Sequence, residues 1–66
     1  MTIIVNGNEH QLETGSKIRD LLETLNLSEK PVVVEHNKAA LFPREYDLTD
    51  LNEGDNIEII TIAAGG

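Results

Sequence analysis

One short amphipathic helix among β-branched segments is the feature that most limits how this chain can fold. Its apolar stripe has the helical spacing i, i+3, i+4 and i+7 and consists of Ile18, Leu21, Leu22 and Leu25. It is the one amphipathic helix that the sequence of 66 residues predicts. A lone helix can cover only one face of one sheet. The sequence therefore predicts an α+β domain of two layers, in which the other face of the sheet is open.

Apolar and β-branched runs predict the strands of that sheet. They cover residues 2–5, about 10–13, 32–34, 39–42 and 56–62. Asn6-Gly7 suits the positive φ angles of a hairpin turn between the first two strands. Asn37-Lys38 and Glu53-Gly54-Asp55 are predicted turns before the fourth and the last strand. The predicted order is a hairpin, a helix and three further strands.

Two local assignments complete this prediction. Ser16 is predicted to cap the helix, because a serine hydroxyl can accept a hydrogen bond from a free backbone N–H of the first turn. In the polar stretch 46–53, Leu48 and Leu51 are predicted to anchor the chain to the core.

The open face is predicted to carry exposed aliphatic side chains. Successive residues of a strand point to opposite faces, so Ile4 faces outward if Ile3 and Val5 face the helix. One alternate set of the last strand also points outward, either Ile57 with Ile59 or Ile60 with Ile62. Single surface hydrophobes are common, whereas several on neighbouring strands indicate a docking surface. The candidate docking residues are Ile4, Ile60, Ile62, Ala63 and Ala64.

Charge and composition exclude several functions. Twelve acidic and five basic residues give a net charge of −7, which repels nucleic acid and favours partners with basic docking surfaces. The chain has no cysteine, so it offers no disulfide, thiolate metal site or thiol nucleophile. His10 and His36 lack the spacing of a metal site, and no glycine-rich phosphate loop is present. We predict a protein that is not an enzyme and has no cofactor or metal of its own.

The N-terminal segment predicts no targeting to a membrane. Met1 to Val5 has neither the basic region nor the apolar length of a signal peptide. No apolar run approaches the length of a membrane span. We therefore expect a cytoplasmic protein without membrane association.

The sequence ends in Gly65-Gly66, directly after the last apolar run. Glycines lack a Cβ, so they can lie extended in a channel too narrow for other residues, with the α-carboxylate leading. A carboxylate is a poor electrophile, and an ATP-using partner could activate it as an acyl-adenylate. A phosphopantetheine carrier is not indicated, because Ser16 stands in Gly-Ser-Lys rather than Asp-Ser-Leu. The alternative is a frayed, solvated tail.

Three motifs along the chain form a pattern. They are Leu41-Phe42-Pro43-Arg44-Glu45, Gly54-Asp55-Asn56-Ile57 and Ala63-Ala64-Gly65-Gly66, with Asn37 upstream. Together they resemble the ThiS family, the sulfur carrier proteins of thiamine biosynthesis, and the resemblance covers the whole chain. It implies a β-grasp, ubiquitin-like fold with a mixed sheet of four to five strands and one main helix on one face. It also implies a single domain over residues 1–66, with a flexible tail at about 63–66.

The resemblance further implies a cycle in which the chain is a carrier and not a catalyst. An E1-like, ThiF-like adenylyltransferase activates the Gly66 carboxylate, and a sulfur donor such as a cysteine desulfurase converts it to a thiocarboxylate. A ThiG-like thiazole synthase accepts the sulfur. Gly66 is then the attachment site and Gly65 gives steric access. Arg44 and Tyr46 are predicted to be surface or loop-packing residues.

Two alternatives stand beside this hypothesis. The same carboxyl chemistry would serve a molybdopterin sulfur carrier, or a ubiquitin-like modifier that forms isopeptide bonds through Gly66. The chain could also be a non-carrier β-grasp interaction module, like those appended to larger enzymes, with an inert tail.

Overall fold

The computed structural model describes residues 1–62, in which a five-stranded sheet and one α-helix make up the fold. The elements are β1 (Thr2–Val5), β2 (Asn8–Gln11), α1 (Ile18–Thr24), β3 (Val32–His36), β4 (Ala39–Leu41), a 3₁₀-helix (Pro43–Glu45) and β5 (Asn56–Thr61). The predicted α+β class is confirmed.

The central strand is β5, although it comes last along the chain. The strand order is β2-β1-β5-β3-β4. β5 runs parallel to β1 and antiparallel to β3, and β2 and β4 form antiparallel edges. A parallel pair requires a long crossover connection, and α1 lies in the segment that joins β1 to β5. The sheet is therefore mixed, as predicted.

One face of this sheet packs against α1 to form an aliphatic core. Alternation along the strands buries Ile3 and Val5 of β1 and Ile57 and Ile59 of β5. The predicted stripe of the helix faces them, with Leu25 only half-buried. The remaining buried hydrophobic residues of the described chain are Ile18, Leu21, Leu22, Val34, Tyr46 and Leu51.

The Asn6 side chain ties the β1–β2 turn to β5. Its Nδ2 donates to the Ile59 carbonyl at 3.0 Å, and its Oδ1 accepts the Ile59 N–H at 2.7 Å. The Asn6 backbone N–H donates to the Ile57 carbonyl at 2.9 Å. Asn6 has a φ of 50°, a left-handed conformation that asparagine adopts more readily than most residues. β1 ends at Val5, which pairs with Ile57, so it offers no backbone partner to Ile59. The Asn6 side chain supplies both the donor and the acceptor for Ile59.

The Asp55 carboxylate organises the turn before β5. It accepts hydrogen bonds from Asn37 Nδ2 at 3.1 Å and from the Asn52 N–H at 2.8 Å, and it lies 2.8 Å from His36 Nε2. Burial alone would raise the pKa of Asp55, but the contacts with His36, Asn52 and Asn37 together hold it below its ordinary value. Asn37 Oδ1 also accepts the Asn56 N–H at 2.8 Å. The β3–β4 turn is therefore fixed to the first residue of β5.

Two strand and loop predictions need correction. β2 begins two residues earlier than predicted, because Asn6-Gly7 alone makes the turn and Val5 pairs directly with Asn8. Leu48 is not an anchor, since it is 76% exposed, whereas Leu51 is buried as predicted. The other strands match the predicted ranges to within two residues.

The helix start also differs from the prediction. Ser16 is not the cap, because Lys17 holds the N-cap position, and the Ser16 hydroxyl instead donates to the Glu13 carbonyl at 2.7 Å. The helix begins after Lys17, and the Asp20 carboxylate accepts the Lys17 N–H at 2.8 Å. Short polar side chains often bond to nearby backbone in this way, in competition with capping.

Replacing Asn6 with glycine tests how much the two side-chain hydrogen bonds from Asn6 to β5 stabilise the fold. Glycine accepts a positive φ without strain, so loss of the two side-chain hydrogen bonds dominates and should lower the free energy of unfolding by about 1–3 kcal/mol. Asn26→Gly is the matched control, because Asn26 is exposed and has a φ of 60°. Urea denaturation measures both variants. Equal losses would contradict the role given to the Asn6 amide.

The pH dependence of stability tests the Asp55 carboxylate. Its pKa is lower in the folded than in the unfolded state, so its contribution is complete above about pH 4 and is lost as the pH falls through the folded pKa. Asp55→Asn should be less stable than the wild type at neutral pH, and the difference should shrink in acid. Urea denaturation across this pH range is the measurement. A difference independent of pH would contradict the assignment.

Candidate functional site

The open face of the sheet presents exposed aliphatic side chains near the end of β5. Val33 of β3 lies directly opposite Ile60 of β5, and the two are 41% and 58% exposed. Ile62, which follows β5, is 51% exposed. β5 thus buries Ile57 and Ile59 and turns Ile60 outward, which settles the choice between the two sets. We call Val33, Ile60 and Ile62 the open apolar row.

Ile4 belongs to the same face but lies apart from this row. It pairs with Glu9 on β2 and with Asn56 on β5, and it is half-buried. Asn56 and Ile60 are four residues apart on β5, which corresponds to roughly 13 Å. Ile4 therefore faces outward, as predicted, at the opposite end of the face.

Phe42 adds an exposed aromatic ring that the sequence analysis did not single out. It is 58% exposed and follows Leu41, which pairs with Val34, so it stands at the level of Val33. The Arg44 guanidinium lies over the ring, 4.6 Å from its centroid, in a cation–π contact. Aromatic residues and arginine are enriched at the energetic centres of protein interfaces. The sequence signal for Phe42 was that aromatic residues are rare in this chain, which has one Phe and one Tyr.

Tyr46, the other aromatic residue, packs in the core. It is 5% exposed, and the Arg19 guanidinium lies 5.5 Å from the centroid of its ring. Burial raises the pKa of the Tyr46 hydroxyl, and the charge of Arg19 offsets part of this rise. Arg19 Nε also donates to the Asp47 carboxylate at 2.9 Å. Tyr46 is therefore a loop-packing residue and Arg44 a surface residue, in agreement with the prediction.

No group of three histidine, aspartate or glutamate residues within residues 1–62 could hold a metal ion, and His36 is engaged with Asp55. No helix in this part of the chain is long and apolar enough to cross a membrane.

The predicted attachment residues lie outside the described part of the chain. Gly65 and Gly66, with the docking candidates Ala63 and Ala64, belong to residues 63–66. The structure places the segment that leads to them, since the Ile62 N–H donates to the Pro31 carbonyl at 3.0 Å.

Comparisons with known proteins agree on one family. The model of the ThiS family matches residues 3–66. A sulfur carrier protein ThiS from Bacillus subtilis is 39% identical over 54 residues, which are 82% of this chain and 80% of that protein. The crystal structure of a thiamine biosynthesis protein (ThiS) from Geobacter metallireducens is similar with a TM-score of 0.84 and 28% identity, covering 100% of both chains. This similarity confirms the predicted ubiquitin-like β-grasp fold.

A much longer protein matches as well. A thiazole synthase from Magnetococcus marinus is 36% identical over 66 residues, which are 100% of this chain. The chain spans 20% of the length of that protein.

Adjacent substitutions on β5 test which face is open. Ile59→Ala removes a side chain that is 6% exposed, and it should lower the free energy of unfolding by about 2–4 kcal/mol. Ile60→Ala removes a largely exposed side chain and should change this free energy by less than about 1 kcal/mol. Chemical denaturation of both variants is the measurement. Comparable losses would show that the faces are assigned wrongly.

Proposed function

This chain belongs to the ThiS family, and we propose that it carries sulfur for thiamine biosynthesis on the carboxyl group of Gly66. The observation that carries this proposal is the extent of the family match, which runs through residue 66 and so includes the diglycine. The name of the Bacillus subtilis relative, a sulfur carrier protein, supports the same function.

The position of β5 supports a carrier whose reactive group follows the last strand. β5 is bonded to β1 on one side and to β3 on the other, and the side chains of Asn6 and Asn37 add to these bonds. Because β5 is bonded on both sides, a partner that contacts this strand binds a rigid surface a few residues before Gly66. Gly65, which has no Cβ, gives the carboxylate clearance in a narrow channel.

Loading begins with activation of the Gly66 carboxylate by ATP. A carboxylate oxygen attacks the α-phosphorus, which forms the acyl-adenylate and releases pyrophosphate. The terminal sulfur of a persulfide then attacks the acyl carbon, and AMP leaves. A thiol cleaves the resulting acyl disulfide, which leaves a thiocarboxylate on Gly66 and a disulfide on the donor.

The composition of the chain suits a carrier and not an enzyme. It has no cysteine, so no internal thiol competes for the activated acyl group. In the proposed cycle an E1-like, ThiF-like adenylyltransferase supplies the nucleotide site, and a cysteine desulfurase supplies the persulfide. The cycle takes place in the cytoplasm, where ATP is available.

The open apolar row is the proposed docking surface for the adenylyltransferase. Val33 and Ile60 are exposed on neighbouring strands and Ile62 follows β5, while the exposed Phe42 follows β4 at the level of Val33. Contiguous apolar surface of this kind marks sites of protein contact. Ile4 forms the far margin of the surface. Ala63 and Ala64 continue the sequence from Ile62 toward Gly66 and are proposed to contact the same partner.

A ThiG-like thiazole synthase is the proposed acceptor of the sulfur. The support is that a protein named thiazole synthase contains a region 36% identical to this chain. The same observation favours a second candidate function, an interaction module within a longer polypeptide, because the matching region is 20% of that protein. The intact mass of the protein purified from its own host separates the two. A chain that ends at Gly66 supports the carrier, and a longer chain supports the module.

Thiocarboxylate formation is the direct test of the carrier function. The chain is incubated with ATP, its cognate adenylyltransferase, a persulfide donor and a thiol. One carboxyl oxygen should be replaced by sulfur, because the acyl-adenylate accepts sulfur and loses AMP. Intact-mass and peptide mass spectrometry should locate the gain in the C-terminal peptide. An unchanged chain would rule out the carrier function.

A chain with one alanine appended after Gly66 is the control for the site. It should gain no sulfur, because the carboxylate no longer follows the diglycine. Loading of the extended chain without trimming would show that Gly66 is not the site. Growth rescue of a thiamine auxotroph, but not of a molybdenum-cofactor auxotroph, separates the thiazole role from the molybdopterin alternative. An isopeptide conjugate through Gly66 would identify a modifier.

A further inference from the structure

A pair of opposed glutamates lies beside the open apolar row. Glu35 of β3 pairs directly with Glu58 of β5, two residues along from the Val33–Ile60 pair. Residues two apart on a strand share a face, so both pairs point to the open side, about 7 Å from each other. On its other side, Glu35 lies opposite Ala40 of β4. We call Glu35 and Glu58 the acidic rung.

The acidic rung is unfavourable in the isolated chain. Like charges directly opposite one another destabilise a strand pair. The salt bridges found within residues 1–62 are Lys17–Asp50, Arg19–Asp47 and His36–Asp55. None of them reaches the rung, and the Ala40 side chain is too small to cover Glu35. The salt bridges of the described residues therefore provide no cation for Glu35 and Glu58, which leave paired positions of β3 and β5 on the same face.

Solubility does not require this arrangement. The chain carries twelve acidic residues. An acidic residue keeps a protein soluble at almost any surface position, so solubility alone does not explain why two glutamates stand directly opposite each other. Beside an apolar row, opposed carboxylates repel acidic surfaces and make burial against a wholly apolar surface costly. They therefore select which partner can cover the row, as repulsive elements do at specific interfaces.

The geometry points to a partner surface on which an arginine or lysine side chain stands beside an apolar contact. The apolar group covers Val33 and Ile60. The cation lies between Glu35 and Glu58, donates hydrogen bonds to both carboxylates and removes the repulsion between them. Such a surface is complementary to this face in both charge and polarity.

This inference rests on the proposed function, and the occupant it names is the adenylyltransferase that activates Gly66. Ile60 precedes Gly66 by six residues, a distance of at most about 22 Å when fully extended. A partner seated on the acidic rung and the apolar row therefore holds its active site within reach of the carboxylate. The cation acts in docking and not in the chemical step.

The double variant Glu35→Gln, Glu58→Gln tests the acidic rung. Both side chains keep their size and lose their charge, so the melting temperature should stay the same or rise. The Kd for the cognate adenylyltransferase should increase about tenfold or more, and its dependence on salt should weaken. Release of pyrophosphate at saturating carrier should keep its wild-type kcat. A purely structural role would not combine unchanged stability with weaker docking.

The double variant Glu13→Gln, Glu29→Gln is the matched control. It removes the same charge from exposed positions outside the strands, so its Kd should stay within about twofold of the wild type. An unchanged Kd for the rung variant, or an equal loss in the control, would overturn the inference. In either case, normal loading of the wild-type chain would leave the proposed function intact. A wild-type chain that releases no pyrophosphate with the partner would overturn both.

Discussion

The hydrogen bonds that hold β5 between β1 and β3 are the constraint on which the rest of the structure depends. β5 pairs with β1 across about fifty residues of sequence, as in the Ile4–Asn56 pair, so the centre of the sheet closes only when both ends of the chain are in place. Pairing over such distances joins the two halves of the described chain in one sheet. Asn6 and Asn37 reinforce it from two separate turns, and each combines a positive φ with an amide that bonds to β5.

The parts of the fold that follow from local patterns could be predicted from the sequence. Helical spacing located α1, and Asn-Gly located the first turn. Alternation showed that one of two sets of β5 side chains is buried, but the choice between the sets came from the structure. The contacts of Asn6 with Ile59 and of Asp55 with His36 and Asn37 could not be predicted, because these partners lie 53 and 18 to 19 residues away and meet only once the register is set. Ser16 was assigned wrongly for the opposite reason. Its hydroxyl donates to the Glu13 carbonyl, three residues before it, and residue type alone does not distinguish this bond from a capping bond.

The open face of the sheet follows from the presence of one short α-helix in residues 1–62. One helix of seven residues can cover only one face, so half of the side chains of the central strands remain available for contacts. A domain of this size has a free energy of unfolding of roughly 3–10 kcal/mol. Opposed carboxylates cost a few tenths to about 1 kcal/mol. The fold can therefore carry Glu35 opposite Glu58 and remain folded, provided that the buried row on the other side of β5 stays intact.

A carrier must leave each partner once its carboxyl group has been modified, and this requirement limits how strongly its open face can bind. In the proposed cycle the adenylyltransferase and the sulfur acceptor use the same residues 63–66, so they bind in turn. A contact confined to the few exposed side chains around Ile60 is small, and small interfaces are typical of transient complexes. Charge complementarity raises the rate and specificity of encounter more than the affinity. A compact apolar row flanked by carboxylates therefore suits rapid exchange between partners better than a broad apolar interface would.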